Sequence, residues 1–229
     1  GAKAAQQALR QTDGRTQILC VLLPRVTFEA LLTQQRQSEG QRVSAIYLDQ
    51  PLGRQIELIR QAMPRLTRVG AVFGPDSAIE LERARALMEN RGLKLVSETL
   101  QGDSELFGAL QRVMRGSEAF LALPDAQIIN PDTAQNLLLT SFRFRIPVVG
   151  YSASSVRAGA TLAVFSTPQQ IGQQAGEMAR QILRGGSLPA PQYPRYFSVI
   201  SNRQMANSLG LGIDDDSSLK ERLLRLERE

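Results

Sequence analysis

Short apolar runs alternate with amphipathic segments along this chain, and this alternation limits the folds that it can adopt. Runs with the length and composition of β-strands span 17–24, 42–49, 67–74, 93–100, 117–124, 146–151, 161–166 and 196–202. Several of them, such as "ILCVLL" and "GAVF", are apolar at consecutive positions, as strands buried on both faces of a parallel sheet require. We therefore expect the strands to form a parallel sheet.

The segments between these runs have apolar residues at helical spacing, as in "ELERARALMENR" and "PDTAQNLLLTSFRFR". Gly92 and Gly116 stand where helices end, and Asp103 and Asp132 stand where N-caps belong. Strand and helix in this order predict right-handed crossovers and a doubly wound α/β fold. The charged segment "LKERLLRLERE" at the end predicts a short helix that packs loosely.

Residue types that are absent or rare exclude several kinds of chemistry. The chain has no histidine, and Cys20 is its single cysteine, which excludes a Ser-His-Asp triad, imidazole metal sites and a disulfide framework. Cys20 lies in an apolar run and is expected to be a small core residue. No glycine-rich phosphate loop is present. We expect no enzyme activity, no cofactor and no metal.

The net charge of +5 and the pI of 9.9 raise the question of a nucleic-acid partner. The basic residues are mixed with glutamates on helical segments, and aromatic residues make up only 5% of the chain. A solvated surface is therefore the preferred interpretation, and no nucleic-acid partner is expected. No apolar stretch approaches the roughly 20 residues that a spanning helix needs.

Polar residues follow the ends of several predicted strands. Ligands of open parallel sheets bind beyond the carboxyl ends of the strands, near the point where the strand order reverses. By this rule the candidate ligand-binding residues are Arg25, Thr27, Asp49, Gln50, Asp76, Ser77, Asp125, Gln127, Tyr151 and Ser152.

The acidic candidates have alternative roles. Asp76 or Ser77 is a plain helix cap or part of an anion site, and Asp49 before Pro51 is equally typical of a helix start. Asp125 in "LALPDAQIIN" is a poor catalytic acid without a partner base, and Asp132 is nearer the next helix. We therefore expect Asp125 to be a ligand-facing carboxylate whose loss would leave the stability nearly unchanged.

Several segments, taken in order, resemble the tryptophan/tyrosine-type substrate-binding proteins of ABC transporters. They include "AIYLDQPLGRQIELIRQAMPRLTRVGAVFGPDS", "LALPDAQIIN", "RIPVVGYSASSVRAGATLAVFSTPQQIGQQAGEMARQILRGG" and "PRYFSVISNRQMANSLGL". The resemblance covers roughly residues 17 to 213 and rests on their ordered occurrence.

The resemblance implies a type I periplasmic-binding fold, in which two α/β lobes close on a small ligand. Residues 1–50 with 193–229 would form the first lobe, and 51–192 the second. The earlier strand-helix units of the family's first lobe have no counterpart, so we expect a first lobe incomplete at its N-terminus, with a signal peptide upstream of residue 1. A periplasmic or other extracytoplasmic location, a membrane permease partner and no catalysis are also implied.

At the binding positions this sequence departs from the family. Gly74 to Ser77 stand where the family tends to have threonine and serine, Ala126 replaces an asparagine, and Tyr151 with Ser152 replaces an acid. Asp125 alone keeps its type. The leading hypothesis is a solute-binding protein for an amino acid or a related small polar molecule, and the alternative is a degenerate module that binds a protein partner.

Overall fold

A computed structural model of the protein describes residues 1–11, 16–34, 42–102 and 105–227. The elements of the described part are, in chain order, α1 (Ala2–Gln11), β1 (Ile18–Leu23), α2 (Arg25–Gln34), β2 (Val43–Tyr47), α3 (Leu52–Ala62), β3 (Arg68–Phe73), a 3-10 turn (Ala78–Glu80), α4 (Leu81–Glu89), β4 (Lys94–Thr99), α5 (Leu106–Gly116), β5 (Ala119–Leu121), α6 (Ala134–Phe144), β6 (Val148–Gly150), α7 (Ala153–Ala158), β7 (Leu162–Phe165), α8 (Pro168–Leu183), β8 (Ser198–Ser201), α9 (Arg203–Ser208) and α10 (Asp216–Leu226). Every predicted strand run contains one of these strands.

The residue contacts divide the chain into two compact units. The first unit comprises Gly1–Gln50 with Ser166–Ser198, and the second comprises Pro51–Phe165 with Val199–Glu229. The lobes expected from the resemblance, 1–50 with 193–229 and 51–192, stay a prediction. Helix α8 packs on β1 and so joins the first unit, whereas α10 packs on α3 and joins the second.

The first unit is built on the parallel pair β1 and β2. Side chains alternate between the two faces of this pair, because successive residues of a strand point in opposite directions. Leu19 and Val21 pack with α8, whereas buried Cys20 belongs to a separate apolar cluster with residues of α1 and α2. Cys20 is thus a core residue, as predicted, and burial raises the pKa of its thiol.

The second unit contains a sheet of order β4-β3-β5-β6-β7-β8. The pairs from β4 through β7 are all parallel. The chain passes from β3 to its neighbour β4 on one side and then returns to β5 on the other side of β3. Right-handed crossovers in opposite directions place α4 and α5 on opposite faces, which is the predicted doubly wound arrangement. The strand order therefore reverses between β3 and β5.

Some local expectations require correction. The N-cap of α6 is Thr133 rather than Asp132, because Asn130 turns the chain first by accepting hydrogen bonds from the backbone N–H groups of Asp132 and Thr133, both at 3.0 Å. Gly92 does end α4 with a positive φ of 71°, which favours glycine. Asp103 lies outside the described residues.

The C-terminal helix also differs from the expectation of loose packing. Leu219 and Leu223 of α10 are 0% and 1% exposed. Arg54 of α3 donates two hydrogen bonds to the carboxylate of Glu227 just beyond α10, the second at 2.8 Å from Nη2 to Oε2. Asp215 caps the helix by accepting from the Ser218 N–H at 3.0 Å. An apolar face and a bidentate ion pair therefore fix this helix.

Truncation of the buried face of α10 should destabilise the protein. Leu219→Ala removes a fully buried side chain, so we expect the free energy of unfolding to fall by about 2–5 kcal/mol. Leu226→Ala on the same helix is the matched control, because Leu226 is 42% exposed; its change should stay within about 0.5 kcal/mol. Urea denaturation followed by circular dichroism measures both, and equal effects would contradict the packing described.

Candidate functional site

The predicted site residues of the second unit meet where the strand order reverses. Asp125 follows β5, Asp76 and Ser77 follow the adjacent strand β3, and Asp125 is 3% exposed. Its Oδ2 accepts hydrogen bonds from the Asp76 N–H at 3.1 Å, the Ser77 N–H at 2.9 Å and the Ser77 hydroxyl at 2.8 Å. Its Oδ1 accepts from the Gln127 N–H at 3.0 Å. One carboxylate therefore joins the loops after two neighbouring strands.

The loop after β3 is shaped to receive this carboxylate. Gly74 donates its N–H to the Ser77 Oγ at 3.0 Å. A Cβ atom at Gly74 would lie 2.6 Å from the Asp125 Oδ1, which is closer than atoms pack, so any side chain here would displace the carboxylate. The "GPDS" sequence thus combines a glycine that admits Asp125 with two backbone donors and a hydroxyl that bind it.

Tyr151 and Ser152 follow β6 and lie beside a cavity of about 470 Å³ in the same unit. Burial raises the pKa of the Tyr151 phenol, and the negative charge of Asp125 raises it further. The Ser152 Oγ accepts from the Ser155 N–H at 3.1 Å and thereby caps α7. Both residues therefore line the cavity, and Ser152 also caps helix α7.

The predicted site residues of the first unit show a similar arrangement at β1 and β2. Asp49 follows β2, and its Oδ2 accepts from the backbone N–H of Arg25, which follows β1, at 2.5 Å. The Arg25 guanidinium lies 3.4 Å from Glu29 one turn along α2. Burial raises the pKa of Asp49, and the hydrogen bond from Arg25 partly offsets that effect. Thr27 is half-buried on α2.

Gln50 is buried, and its side chain forms a hydrogen bond with Ser166. It is 4% exposed, and its Nε2 donates to the Ser166 Oγ at 2.8 Å. Ser166 in turn donates to the Tyr196 carbonyl oxygen at 2.6 Å. The sequence prediction did not include Ser166, which is the last residue of the run 161–166 and directly follows β7, so the carboxyl-end rule applies to it as well.

The site contributes buried carboxylate acceptors and hydroxyl groups. Within the described residues, no group of three or more cysteine, aspartate or glutamate side chains is arranged to hold a metal ion. Among those same residues, no helix has the length and apolar character of a membrane span.

The family model described as ABC transporter substrate binding protein matches residues 4–221. The chain belongs to this family. A curated relative, an uncharacterized protein of Rickettsia prowazekii, is 28% identical over 126 residues. That match covers 54% of this chain and 41% of the relative, so the chain spans less than half of that relative's length.

Solved structures of similar fold bear on the architecture of the chain. A conserved domain protein of Vibrio cholerae is 22% identical, with 97% of this chain and 82% of that chain covered and a TM-score of 0.67. The ABC domain of a Streptococcus pneumonia protein, in complex with L-Trp, is 20% identical with coverages of 96% and 75% and a TM-score of 0.67. A ligand-free, open substrate binding protein with adhesive properties from Clostridium difficile is 17% identical with coverages of 94% and 73% and a TM-score of 0.75. At these identities the likeness concerns the fold alone, and it confirms the expected type I periplasmic-binding fold class.

The hydrogen bonds of Asp125 predict that its loss destabilises the fold. Asp125→Ala leaves the backbone N–H groups of Asp76, Ser77 and Gln127 and the Ser77 hydroxyl without this acceptor, so we expect the free energy of unfolding to fall by at least about 3 kcal/mol. Asp132→Ala is the control, because Asp132 is an exposed acid of the following loop; it should change stability by less than about 0.5 kcal/mol. Denaturant unfolding measures both variants. An unchanged stability of Asp125→Ala would restore the expectation from sequence that this carboxylate only faces a ligand.

The raised pKa of Asp49 predicts a specific pH dependence. The folded protein binds the Asp49 proton more tightly than the unfolded chain does. This proton binding therefore stabilises the fold below the ordinary carboxyl pKa, and the stabilisation is lost as the pH rises through the raised pKa of Asp49. Asp49→Asn removes this loss, so the stability of the variant relative to wild type should increase from acidic to neutral pH. Unfolding free energies across that range test it, with Asp132→Asn as control. A difference that is independent of pH would contradict the prediction.

Proposed function

We propose that the protein is the extracytoplasmic solute-binding component of an ABC-type uptake system. It binds a small polar molecule without catalysis and delivers it to a membrane permease. The observation that carries the proposal is family membership over residues 4–221, joined to two parallel sheets whose carboxyl ends carry the polar residues described above. An amino acid or a related organic molecule is the proposed ligand class, and the L-Trp complex of the Streptococcus pneumonia protein is consistent with it.

The roles proposed for the site residues follow from their contacts. Asp125 positions the Gly74–Ser77 loop and the Gln127 backbone, because its two oxygens already accept four hydrogen bonds. Within the second unit, Gln127, Tyr151 and Ser152 are then the proposed solute contacts. Within the first unit, taken by itself, Thr27 and Asp49 are the candidates. Asp76 has an exposed carboxylate that accepts a long 3.4 Å hydrogen bond from the Ala126 N–H, and it is proposed as a further solute contact of the second unit.

The absence of catalysis is part of the proposal. The sequence contains no histidine to act as a general base near neutral pH. Asp125 is committed to backbone donors and is therefore unavailable for proton transfer. We prefer solute binding to the alternative of a degenerate module for a protein partner, because the family description is that of a substrate-binding protein.

A binding screen tests this function. The full chain is titrated with amino acids and small organic ions, with thermal shift as the first readout and calorimetry for every compound that stabilises it. A true solute should raise the melting temperature in proportion to the logarithm of its concentration above Kd. If no compound stabilises the protein at saturating concentration, solute binding is contradicted and the partner alternative gains support.

Variants locate the site of any solute found. Gln127→Ala in the second unit should weaken affinity by about tenfold, because it removes one hydrogen bond to the solute. Asn136→Ala, on the exposed side of α6 in the same unit, should leave affinity unchanged. Equal affinities in both variants would place the solute elsewhere.

A further inference from the structure

The cavity beside Tyr151 is lined mostly by apolar side chains, which are not among the proposed solute contacts. It opens at the carboxyl ends of β5 and β6 and continues between α6 and α7, wholly within the second unit. Its volume of about 470 Å³ lies within the range of roughly 300–1,000 Å³ typical of small-molecule sites. Its apolar lining includes Ala134, Leu137, Leu138 and Val148, and its polar lining includes Tyr151 and the serines at the start of α7.

Tight packing on one side forms a wall of this cavity. A Cβ atom at Gly150 would collide with the Oγ of Ser155 and lie 2.9 Å from its Cβ, so α7 lies directly against the end of β6. Leu137 of α6 and Val148 of β6 are 2% and 3% exposed and form apolar walls that belong to the main core cluster. The cavity is therefore enclosed by packed elements rather than by loops alone.

The three serines that line the cavity lie together at the start of α7. The Ser152 and Ser154 hydroxyls are 2.9 Å apart, and the Ser155 Oγ donates to the Ser152 carbonyl oxygen at 2.7 Å. None of the described residues that line the cavity carries a charge. The Asp125 carboxylate near Tyr151 is not part of the lining and already accepts four hydrogen bonds, so a charged ligand would lose its hydration here without gaining a charged partner, whereas a hydroxyl could join the serines.

We propose that this cavity is a binding site for a neutral, compact and largely apolar molecule that carries a hydroxyl group. The apolar body lies against Leu137, Leu138 and Val148, and the hydroxyl bonds the serine group at the start of α7. The cavity shares Tyr151 and Ser152 with the proposed solute contacts, whereas its apolar walls belong to none of them, so the proposal goes beyond the solute function and is tested separately from it.

Three probes of matched size test the proposed chemistry. Benzyl alcohol, benzoate and benzylamine are titrated into the full chain, with methyl NMR of Leu137 and Leu138 as the readout. Benzyl alcohol should shift these methyl signals in a saturable manner, whereas the two charged probes should not. Absence of a shift with benzyl alcohol, or equal shifts with all three probes, would overturn the proposal.

Filling the cavity provides the second test. Ala134→Leu places a larger side chain in the cavity and should weaken benzyl alcohol binding by at least about tenfold. Gln135→Leu, on the exposed side of the same helix, should keep the affinity within about twofold. Ala134→Val is measured alongside as a smaller change that the fold tolerates more easily. Wild-type affinity for benzyl alcohol in a folded Ala134→Leu variant would overturn the proposal. A solute screen in which no amino acid binds would contradict the proposed function but not this proposal.

Discussion

The contact between the Asp125 carboxylate and the loop after β3 determines how the candidate site is organised. In the second unit the strand order reverses between β3 and β5, so the loops after these two strands diverge and open a crevice. Asp125 spans that crevice by accepting from the N–H groups of Asp76 and Ser77 and from the Ser77 hydroxyl. Because hydrogen bonds to an ionised acceptor are stronger than neutral ones, a single side chain suffices to fix both loops.

The first unit uses the same device at its own pair of parallel strands. Asp49 after β2 accepts from the backbone N–H of Arg25 after β1. Just before Arg25, the pairing of β1 with β2 shifts register between Val21 and Leu23. Leu22 there has a positive φ of 58°, an uncommon conformation for a leucine. Bulges and positive φ values of this kind concentrate at strand ends that present side chains to a ligand. In each unit, therefore, the carboxylate of an aspartate after one strand accepts backbone hydrogen bonds from the segment that follows the neighbouring strand.

The sequence predicted the strands well because a strand buried on both faces must be apolar along most of its length. It also predicted most of the residues that follow the strand ends, although not Ser166, since that rule needs only the strand ends; their role as ligand contacts stays a prediction. It could not predict that Asp125 and Ser77 would bond to each other across 48 positions, because that depends on β5 returning to the side of β3. Helix α10 was underestimated for the same reason: its short amphipathic pattern does not reveal that Arg54 and α3 are its partners. The assignment of Asp132 as a cap was wrong because Asn130 and Thr133 make the turn first.

The most direct test of this arrangement is hydrogen exchange at the backbone amides of Asp76 and Ser77. Both amides lie in a loop, where exchange would ordinarily be fast, and Asp76 itself is exposed. If the Asp125 carboxylate binds them as described, both amides should be protected in the wild-type protein, and the protection should disappear in Asp125→Ala while the core amides of β3 remain slow under native conditions. Exchange of the Asp76 and Ser77 amides at the rate of an unstructured loop in the wild-type protein would contradict the central role of Asp125.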